Sequence, residues 1–256
     1  MTEKTPEKAA EKPAARPRKR KAKLAGAAAA EGLSPWRRAL RWLLRGAAAV
    51  AAVYAFLVIL FSFLPPPINL YQTGEAWRLG GIEKDWVSWD EIAPVMGRSA
   101  VAAEDANFCN HWGFDMAAIR LAIKQGGNRG ASTISQQVVK NVFLWHGRSY
   151  LRKAMEAVLT PAVELFWSKQ RILEVYLNVA EFDEGVFGVQ AAAQHYFGVD
   201  AKDLSALQAG RLAAVLPDPK DFSASKPSSF VRSRTRSIMS GAETIAADGR
   251  SACFEG

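Results

Sequence analysis

The 256-residue sequence has very little cysteine and histidine. Two cysteines, Cys109 and Cys253, are too few for a disulfide framework or for a cysteine-based zinc site. The three histidines, His111, His146 and His195, lie 35 and 49 residues apart, so no local spacing suits a metal ion. A disulfide-stabilised scaffold and a zinc enzyme are therefore disfavoured.

The net charge of +8 lies almost entirely in the N-terminal part of the chain. Residues 1–45 hold 13 Lys or Arg and 4 Asp or Glu, whereas residues 46–256 hold 20 and 21. The larger part is thus nearly neutral, which disfavours a basic DNA-binding domain, and we expect no nucleic-acid partner. Residues 1–45 are predicted to form a cytoplasmic basic arm. Residues 1–35 are rich in Ala, Lys, Arg, Pro and Glu and are predicted to be disordered, because they have too little apolar surface to offset the entropy cost of ordering.

One long uncharged segment, residues 46–64, follows the arm. A helix of this length, at about 1.5 Å per residue, nearly matches a hydrocarbon core of roughly 30 Å. A cleaved signal peptide is the alternative, but Pro65–Pro67 follow where a small-residue cleavage site is expected. We therefore predict a single transmembrane anchor.

The cations beside the anchor predict its orientation. Four arginines lie in the 20 residues before Gly46, whereas the 20 residues after Leu64 contain only Arg78 and Lys84. Because positive charge is retained on the cytoplasmic side, we expect a cytoplasmic N-terminus and a periplasmic or extracytoplasmic domain at the inner membrane.

Beyond Asp90 the pattern is helical and lacks alternating β-branched runs. The fold class is predicted to be mainly α, with residues 65–97 as a membrane-proximal segment, 98–232 as the principal domain and 233–256 as a C-terminal tail. The individual helices are predicted over residues 98–108, 115–125, 133–145, 149–167, 169–180, 186–197 and 203–216.

The first candidate site is the acidic pair Glu104 and Asp105. In a continuous helix Glu104, Phe108 and His111 would share one face, at i, i+4 and i+7. A carboxylate that faces an apolar cleft is disfavoured in its charged form and so can become an effective general base. The alternative is a carboxylate that caps a neighbouring turn, and spacing alone favours this alternative.

Two further candidates are clusters of polar residues on predicted helices. Thr133 and Gln136 form a capping box, while Gln137, Lys140 and Asn141 are left unexplained and would suit a phosphate near a helix N-terminus. Farther on, one helix face carries Arg148, Arg152 and Glu156, and Lys153 lies three residues before Glu156. This pattern fits either a solvated salt-bridge ladder or a pyrophosphate clamp, and spacing does not choose between them.

Two later segments, residues 169–178 and 185–198, are interpreted mainly as helix packing. Glu174 is expected to be satisfied by Arg171, three residues earlier on the same helix. His195 is expected to be a partly buried packing residue.

Five segments of the chain, in order, are EDANFCNHWGFD, GASTISQQVVKN, RSYLRKAME, KQRILEVYLN and GVFGVQAAAQHYFG. Together they resemble the five ordered motifs of peptidoglycan glycosyltransferases, over roughly residues 84–232. The resemblance implies a lysozyme-like helical fold on a single N-terminal transmembrane helix. It implies a monofunctional enzyme that polymerises lipid II by inverting β-1,4 transfer and releases undecaprenyl pyrophosphate. The implied partners are lipid II, the lipid-linked glycan chain, the membrane and other cell-wall synthesis or division proteins.

The resemblance also assigns roles to individual residues. Glu104 matches the base that deprotonates the 4-hydroxyl of the acceptor, and Glu156 matches the second essential carboxylate. The positions implied to bind substrate are Asp105, Phe108, His111, Ser132, Thr133, Gln136, Gln137, Lys140, Asn141, Arg148, Lys153 and Glu174. No cofactor is expected to be required, although Mg or Mn could assist, and no dedicated metal ligands are predicted.

Two residues depart from the family pattern. Asp183 stands where glycine is expected, before Gly185. Cys109 follows the phenylalanine of the first motif and is expected to be a free buried thiol, with a disulfide to Cys253 as the alternative. A glycan-cleaving enzyme on a similar fold and a non-catalytic cell-wall scaffold remain the competing functions.

Overall fold

The computed structural model describes Met1 and residues 34–126, 130, 132–147 and 149–256. The chain forms two compact units, Met1–Ala51 and Ala52–Gly256. Most of the predicted basic arm, part of the loop at 126–130, and Arg148 lie outside the described residues.

The described residues are mainly helical, as predicted. The α-helices, in chain order, are α1 (Pro35–Phe61), α2 (Leu70–Leu79), α3 (Pro94–Glu104), α4 (Met116–Lys124), α5 (Ile134–Phe143), α6 (Tyr150–Phe166), α7 (Lys169–Val179), α8 (Val189–Phe197), α9 (Ala206–Val215), α10 (Ser229–Ala247) and α11 (Ala252–Glu255). Within the described ranges, short 3-10 helices span Trp89–Glu91, Phe108–Asn110 and Ala201–Asp203.

A small sheet lies beside these helices. Its strands are β1 (Glu83–Lys84), β2 (Glu181–Asp183) and β3 (Val186–Phe187), in the order β1-β3-β2. β1 runs parallel to β3, and β2 runs antiparallel to it. The helix expected over 186–197 therefore starts only at Val189. Gly188 precedes it with φ of +90°, and a Cβ there would lie 2.9 Å from the Asn178 carbonyl oxygen.

Two packed groups of helices form the core. α3, α9 and α10 pack on one another, while α5 packs on α6 and α7. The fully buried side chains include Met96, Phe108, Ile134, Tyr176 and Leu212. Burial of a large apolar side chain contributes about 1.5–3 kcal/mol, so these residues account for much of the driving force for folding.

The C-terminal residues differ from the tail expected over 233–256. α10 has 19 residues and buries Val231, Thr235, Ile238, Ala242 and Ile245 against its neighbours. These positions recur with helical spacing, but the many serines and arginines between them obscure the pattern in the sequence. α10 is therefore an integral part of the folded domain.

The apolar segment expected at 46–64 lies mostly within α1, a helix long and apolar enough to cross a membrane. Within the second unit, the last turns of α1 pack on the domain through Tyr54, Val58 and Phe61. The Trp167 indole N–H donates to the Val58 carbonyl oxygen at 2.7 Å. Arg171 donates to the Phe61 and Leu64 carbonyl oxygens and so caps the C-terminus of α1.

The two cysteines form a disulfide, Cys109–Cys253, so the expectation of a free thiol at Cys109 is wrong. The bond joins the turn at Phe108–Asn110 to α11, across 144 residues of sequence. Phe254, beside Cys253, is buried against Phe108, with the ring centroids 6.3 Å apart. This apolar packing brings the two sulfurs together, which sequence spacing alone does not reveal.

The departure at Asp183 is accommodated at the end of β2. Its carboxylate accepts hydrogen bonds from the Tyr196 hydroxyl at 2.6 Å and from the Glu184 N–H at 2.7 Å. The turn itself uses Gly185, whose φ is +76°. The turn is thus intact with aspartate at this position.

Candidate active site

Glu104 is the last residue of α3 and lies at the edge of a cavity. One carboxylate oxygen accepts a hydrogen bond from the Gln137 side-chain amide at 3.0 Å. The other lies 3.5 Å from the Arg234 guanidinium. The side chain is 16% exposed, so it is constrained by neighbours but remains accessible to a ligand.

Asp105 also lines this cavity, but it is buried and its carboxylate is bound by groups of the protein. Its carboxylate accepts hydrogen bonds from the Ile134 N–H at 3.0 Å and from His111 Nε2 at 2.9 Å. α3 consequently ends at Glu104, and the helical face expected to join Glu104, Phe108 and His111 does not form. Phe108 is fully buried in the core, and His111 supports Asp105.

The capping box predicted from Thr133 and Gln136 is confirmed at the start of α5. The Thr133 hydroxyl also donates to the Gly113 carbonyl oxygen at 2.7 Å. Gly113 has φ of +80°, and a Cβ there would lie 2.4 Å from the Thr160 side chain. Glycine is therefore needed where this turn meets α6.

Glu156 is the centre of a buried ion-pair cluster on α6. Its side chain is 3% exposed and accepts hydrogen bonds from Arg152 and from Lys153, the latter at 2.8 Å. Lys153 Nζ also lies 3.3 Å from the Ser132 hydroxyl, which lines the same cavity as Glu104. Because Glu156 is buried, the solvated salt-bridge ladder considered above is excluded.

One cavity lies beside the N-terminus of α5, and another lies farther along the same helix. One, of about 270 Å³, is lined by residues of α3, α4 and the segment before α5, including Glu104, Ser132 and Thr133. The other, of about 210 Å³, is lined by Gln137, Lys140 and Asn141 together with Tyr71 and His146. Gln137 connects them, because it lines the second cavity and binds Glu104 at the first.

Lys140 has an unusual electrostatic environment. Burial lowers the pKa of its ammonium group, and the nearby cations Arg152 and Lys153 lower it further, while Glu156 opposes the shift. A lysine that is incompletely neutralised by its neighbours is suited to hold an anion. Tyr176 lies near Glu104, and burial raises the pKa of its hydroxyl well above the usual value.

Glu174 does not line either cavity. It pairs with Arg171 at 3.0 Å, which confirms the pairing expected from their spacing. Arg171 in turn holds the C-terminal carbonyl groups of α1. The described contacts of Glu174 thus connect it to α1 through Arg171. Arg148, another position expected to bind substrate, lies outside the described residues.

Sequence reasoning missed three residues close to the site. Tyr71 and His146 stack with ring centroids 3.8 Å apart beside the second cavity. Lys169 donates to the His111 carbonyl oxygen and to Glu164, both at 2.8 Å. Lys169 is the first residue of the fourth motif (KQRILEVYLN), and His146 lies shortly after the second (GASTISQQVVKN), so both could have been considered from the sequence. Tyr71 lies in none of the motifs.

No metal centre is evident within the part of the chain that the structure describes, since no three His, Cys, Asp or Glu side chains converge there. Assistance by Mg or Mn stays a prediction.

The chain is similar to known proteins across most of its length. Residues 74–243 match the family model described as Transglycosylase. A "Biosynthetic peptidoglycan transglycosylase" from Jannaschia sp. (strain CCS1) is 60% identical over 84% of this chain and 90% of that protein. The chain belongs to the transglycosylase family.

Other relatives carry the same name. The protein from Pseudomonas putida (strain ATCC 700007 / F1) is 49% identical over 77% of this chain and 85% of its own length. The protein from Cronobacter sakazakii (strain ATCC BAA-894) is 48% identical over 83% of this chain and 92% of its own length. The transglycosylase match begins in α2 and ends in α10, so both helices belong to the family domain.

His146 is expected to make the stability of this transglycosylase depend on pH. Burial, and then the positive charge of Lys140, lower its pKa from 6.5 to about 4. The unfolded chain therefore binds a proton between these values that the folded chain excludes, so stability falls as pH decreases through that window. We expect His146→Gln to remove about 1–2 kcal/mol of the acid-induced loss, allowing for partial exposure. Urea unfolding of the wild type and of His146→Gln at about pH 7 and about pH 4.5 measures the loss of unfolding free energy on acidification. Equal losses in the two proteins would contradict this prediction.

Proposed function

We propose that this transglycosylase polymerises lipid II into glycan strands, with Glu104 as the general base. The observation that carries the proposal is the position of Glu104, which is accessible at a cavity edge and bound by Gln137 at 3.0 Å. From Gln137, α5 leads one turn onward to Lys140. A base and a group of cations thus flank one helix, as an inverting transfer from a pyrophosphate donor requires.

The proposed reaction is a single displacement. The Glu104 carboxylate takes the proton of the GlcNAc 4-hydroxyl of lipid II as that oxygen attacks C1 of the terminal MurNAc on the growing chain. The new β-1,4 bond forms while the α bond between C1 and the phosphate oxygen breaks. Undecaprenyl pyrophosphate carries away the bonding electrons, so the configuration at C1 inverts.

The leaving pyrophosphate gains negative charge, which cations already in place can stabilise. Lys140 and Lys153 are the proposed contacts on the described part of the site, and Arg148 is a third by its match to the family motif. Glu156 holds Lys153 and Arg152 in position, since it pairs with both. Ser132, Thr133, Gln136 and Asn141 are proposed to line the cleft.

The test is incubation of the purified, detergent-solubilised protein with labelled lipid II, followed by separation of the products by size. Long lipid-linked polymer supports the proposal. Soluble fragments released from preformed glycan, without polymer, would replace it with a lytic activity. Inactivity in both assays would indicate a non-catalytic role. Association with other cell-wall synthesis or division proteins stays a prediction.

The orientation is also proposed: a cytoplasmic N-terminus with the domain outside the inner membrane. The arginines before the apolar segment support it. The Cys109–Cys253 disulfide supports it independently, because disulfides persist in oxidising compartments. An alkaline phosphatase fused to the C-terminus should be active in cells, and activity only with a cytoplasmic reporter would reverse the assignment.

We further propose that the exposed face of α6 contacts the lipid bilayer. It presents a stripe of apolar residues at helical spacing: Leu151, Ala154, Val158, Pro161 and Leu165. Leu151, Val158 and Leu165 are 65%, 73% and 62% exposed. Trp167, at the end of α6, binds the Val58 backbone within the apolar segment of α1. Because this contact joins the end of α6 to the apolar segment of α1, it supports a lipid environment for the stripe.

A nitroxide probe at position 158 of the full-length protein in liposomes tests this surface. We expect greater collision with oxygen, which concentrates in lipid, than with a water-soluble nickel complex. A probe at exposed Leu207 on α9 is the matched control and should show the reverse. The native cysteines are joined and do not compete for the label. Aqueous behaviour at both positions would contradict the proposal.

A further inference from the structure

Arg234 reaches the candidate base from a helix that carries none of the motif-like strings. It lies on α10, and its guanidinium donates to the Ala103 carbonyl oxygen at 3.3 Å. The same nitrogen lies 3.5 Å from a carboxylate oxygen of Glu104. The Arg234 side chain is 30% exposed, so the pair is only partly shielded from solvent.

The packing of α10 explains how this arginine comes to lie there. Val231, Thr235 and Ile238 are buried on either side of Arg234, which fixes the rotation of the helix. Gly241 allows α10 to approach α3 closely, because a Cβ at that position would lie 3.1 Å from the Ala102 Cβ. The backbone at Arg234 is therefore held against the C-terminal end of α3, where a cation is favourable for the helix dipole.

The two carboxylate oxygens of Glu104 have different neighbours. One accepts from Gln137 on α5, and the other faces Arg234 on α10. Contacts from two separate helices restrict rotation of the carboxylate. Arginine keeps its charge throughout, so it cannot compete for the proton that a base must accept. The single contact at 3.5 Å restrains one oxygen of the carboxylate and does not engage both oxygens, as a bidentate pair would.

We infer that Arg234 is a positioning residue that orients the Glu104 carboxylate for proton abstraction. This inference rests on the proposed polymerase function. It adds α10 to the elements that build the site and gives the C-terminal part of the domain a role in catalysis as well as in folding.

The test compares Arg234→Ala with the wild-type full-length protein in detergent, using lipid II. We expect kcat to fall about tenfold while KM changes by less than about twofold, because orientation of the base affects the transition state and hardly affects substrate binding. Guanidinium at non-denaturing concentration should restore part of kcat by occupying the vacated space, whereas urea should not. Arg234→Lys should retain intermediate activity.

Arg236→Ala is the matched control. Arg236 is exposed on the same helix, with no ion pair among the residues that the structure describes. Wild-type kcat in Arg234→Ala would overturn the inference, and so would a loss that guanidinium does not restore and that parallels a lowered melting temperature. If wild-type protein itself makes no polymer, the proposed function fails, and the positioning role fails with it.

Discussion

Glu104→Gln is expected to reduce lipid II polymerisation by about a thousandfold. Glutamine has nearly the same shape but cannot take the proton from the GlcNAc 4-hydroxyl of lipid II. A positioned general base contributes a factor of about 10²–10⁴ in rate. The change should leave the fold intact, because the side-chain oxygen of glutamine can still accept the hydrogen bond from Gln137. The measurement is initial polymer formation at saturating lipid II, with the melting temperature determined in parallel.

Glu243→Gln is the control for this experiment, because Glu243 is exposed on α10. It should retain wild-type activity. If Glu104→Gln were nearly as active as the wild type while correctly folded, another group would have to be the base.

Glu156→Gln is expected to lower both stability and activity. The carboxylate is buried between Arg152 and Lys153, so its loss leaves two cations without their partner. Breaking a buried ion pair typically costs about 3–5 kcal/mol, and the lower end applies because Lys153 is half exposed. We also expect about a hundredfold slower polymerisation, because the cations for the leaving pyrophosphate are displaced. Urea unfolding and the lipid II assay measure the two effects.

A second variant separates stability from catalysis at this cluster. Adding Arg152→Gln to Glu156→Gln removes one of the uncompensated charges. The double variant should therefore recover part of the stability without recovering activity. Recovery of both would mean that Glu156 acts only through folding, and an unchanged urea midpoint in Glu156→Gln would contradict the assigned ion pairs.

Local interactions account for the side-chain contacts that were predicted correctly. The capping box of Thr133 and Gln136 and the pair of Arg171 and Glu174 join residues three positions apart. Such contacts follow from helical geometry alone, so spacing in the sequence is sufficient to find them. The pairing of Glu156 with Arg152 and Lys153 was likewise predictable, because these residues lie four and three positions before Glu156 on one helix.

Contacts between distant segments account for what was missed. α3 was expected to continue to residue 108, but Asp105 leaves the helix to cap α5, 29 residues farther along the chain. Tyr71 joins the second cavity through contact with His146, across 75 residues of sequence. Neither partner is specified by local spacing.

The sequence by itself determined the mainly helical class, the apolar segment of α1 and the family, and it singled out Glu104 and Glu156 as candidate catalytic residues. Periodicity, charge distribution and motif order are properties of the chain before it folds, so these conclusions needed no tertiary contacts. Only the tertiary structure decided that Glu156 is buried, that the cysteines pair and that α10 brings Arg234 to Glu104. These features depend on which helix faces pack together, because burial and electrostatic environment are set by neighbours that are remote in sequence.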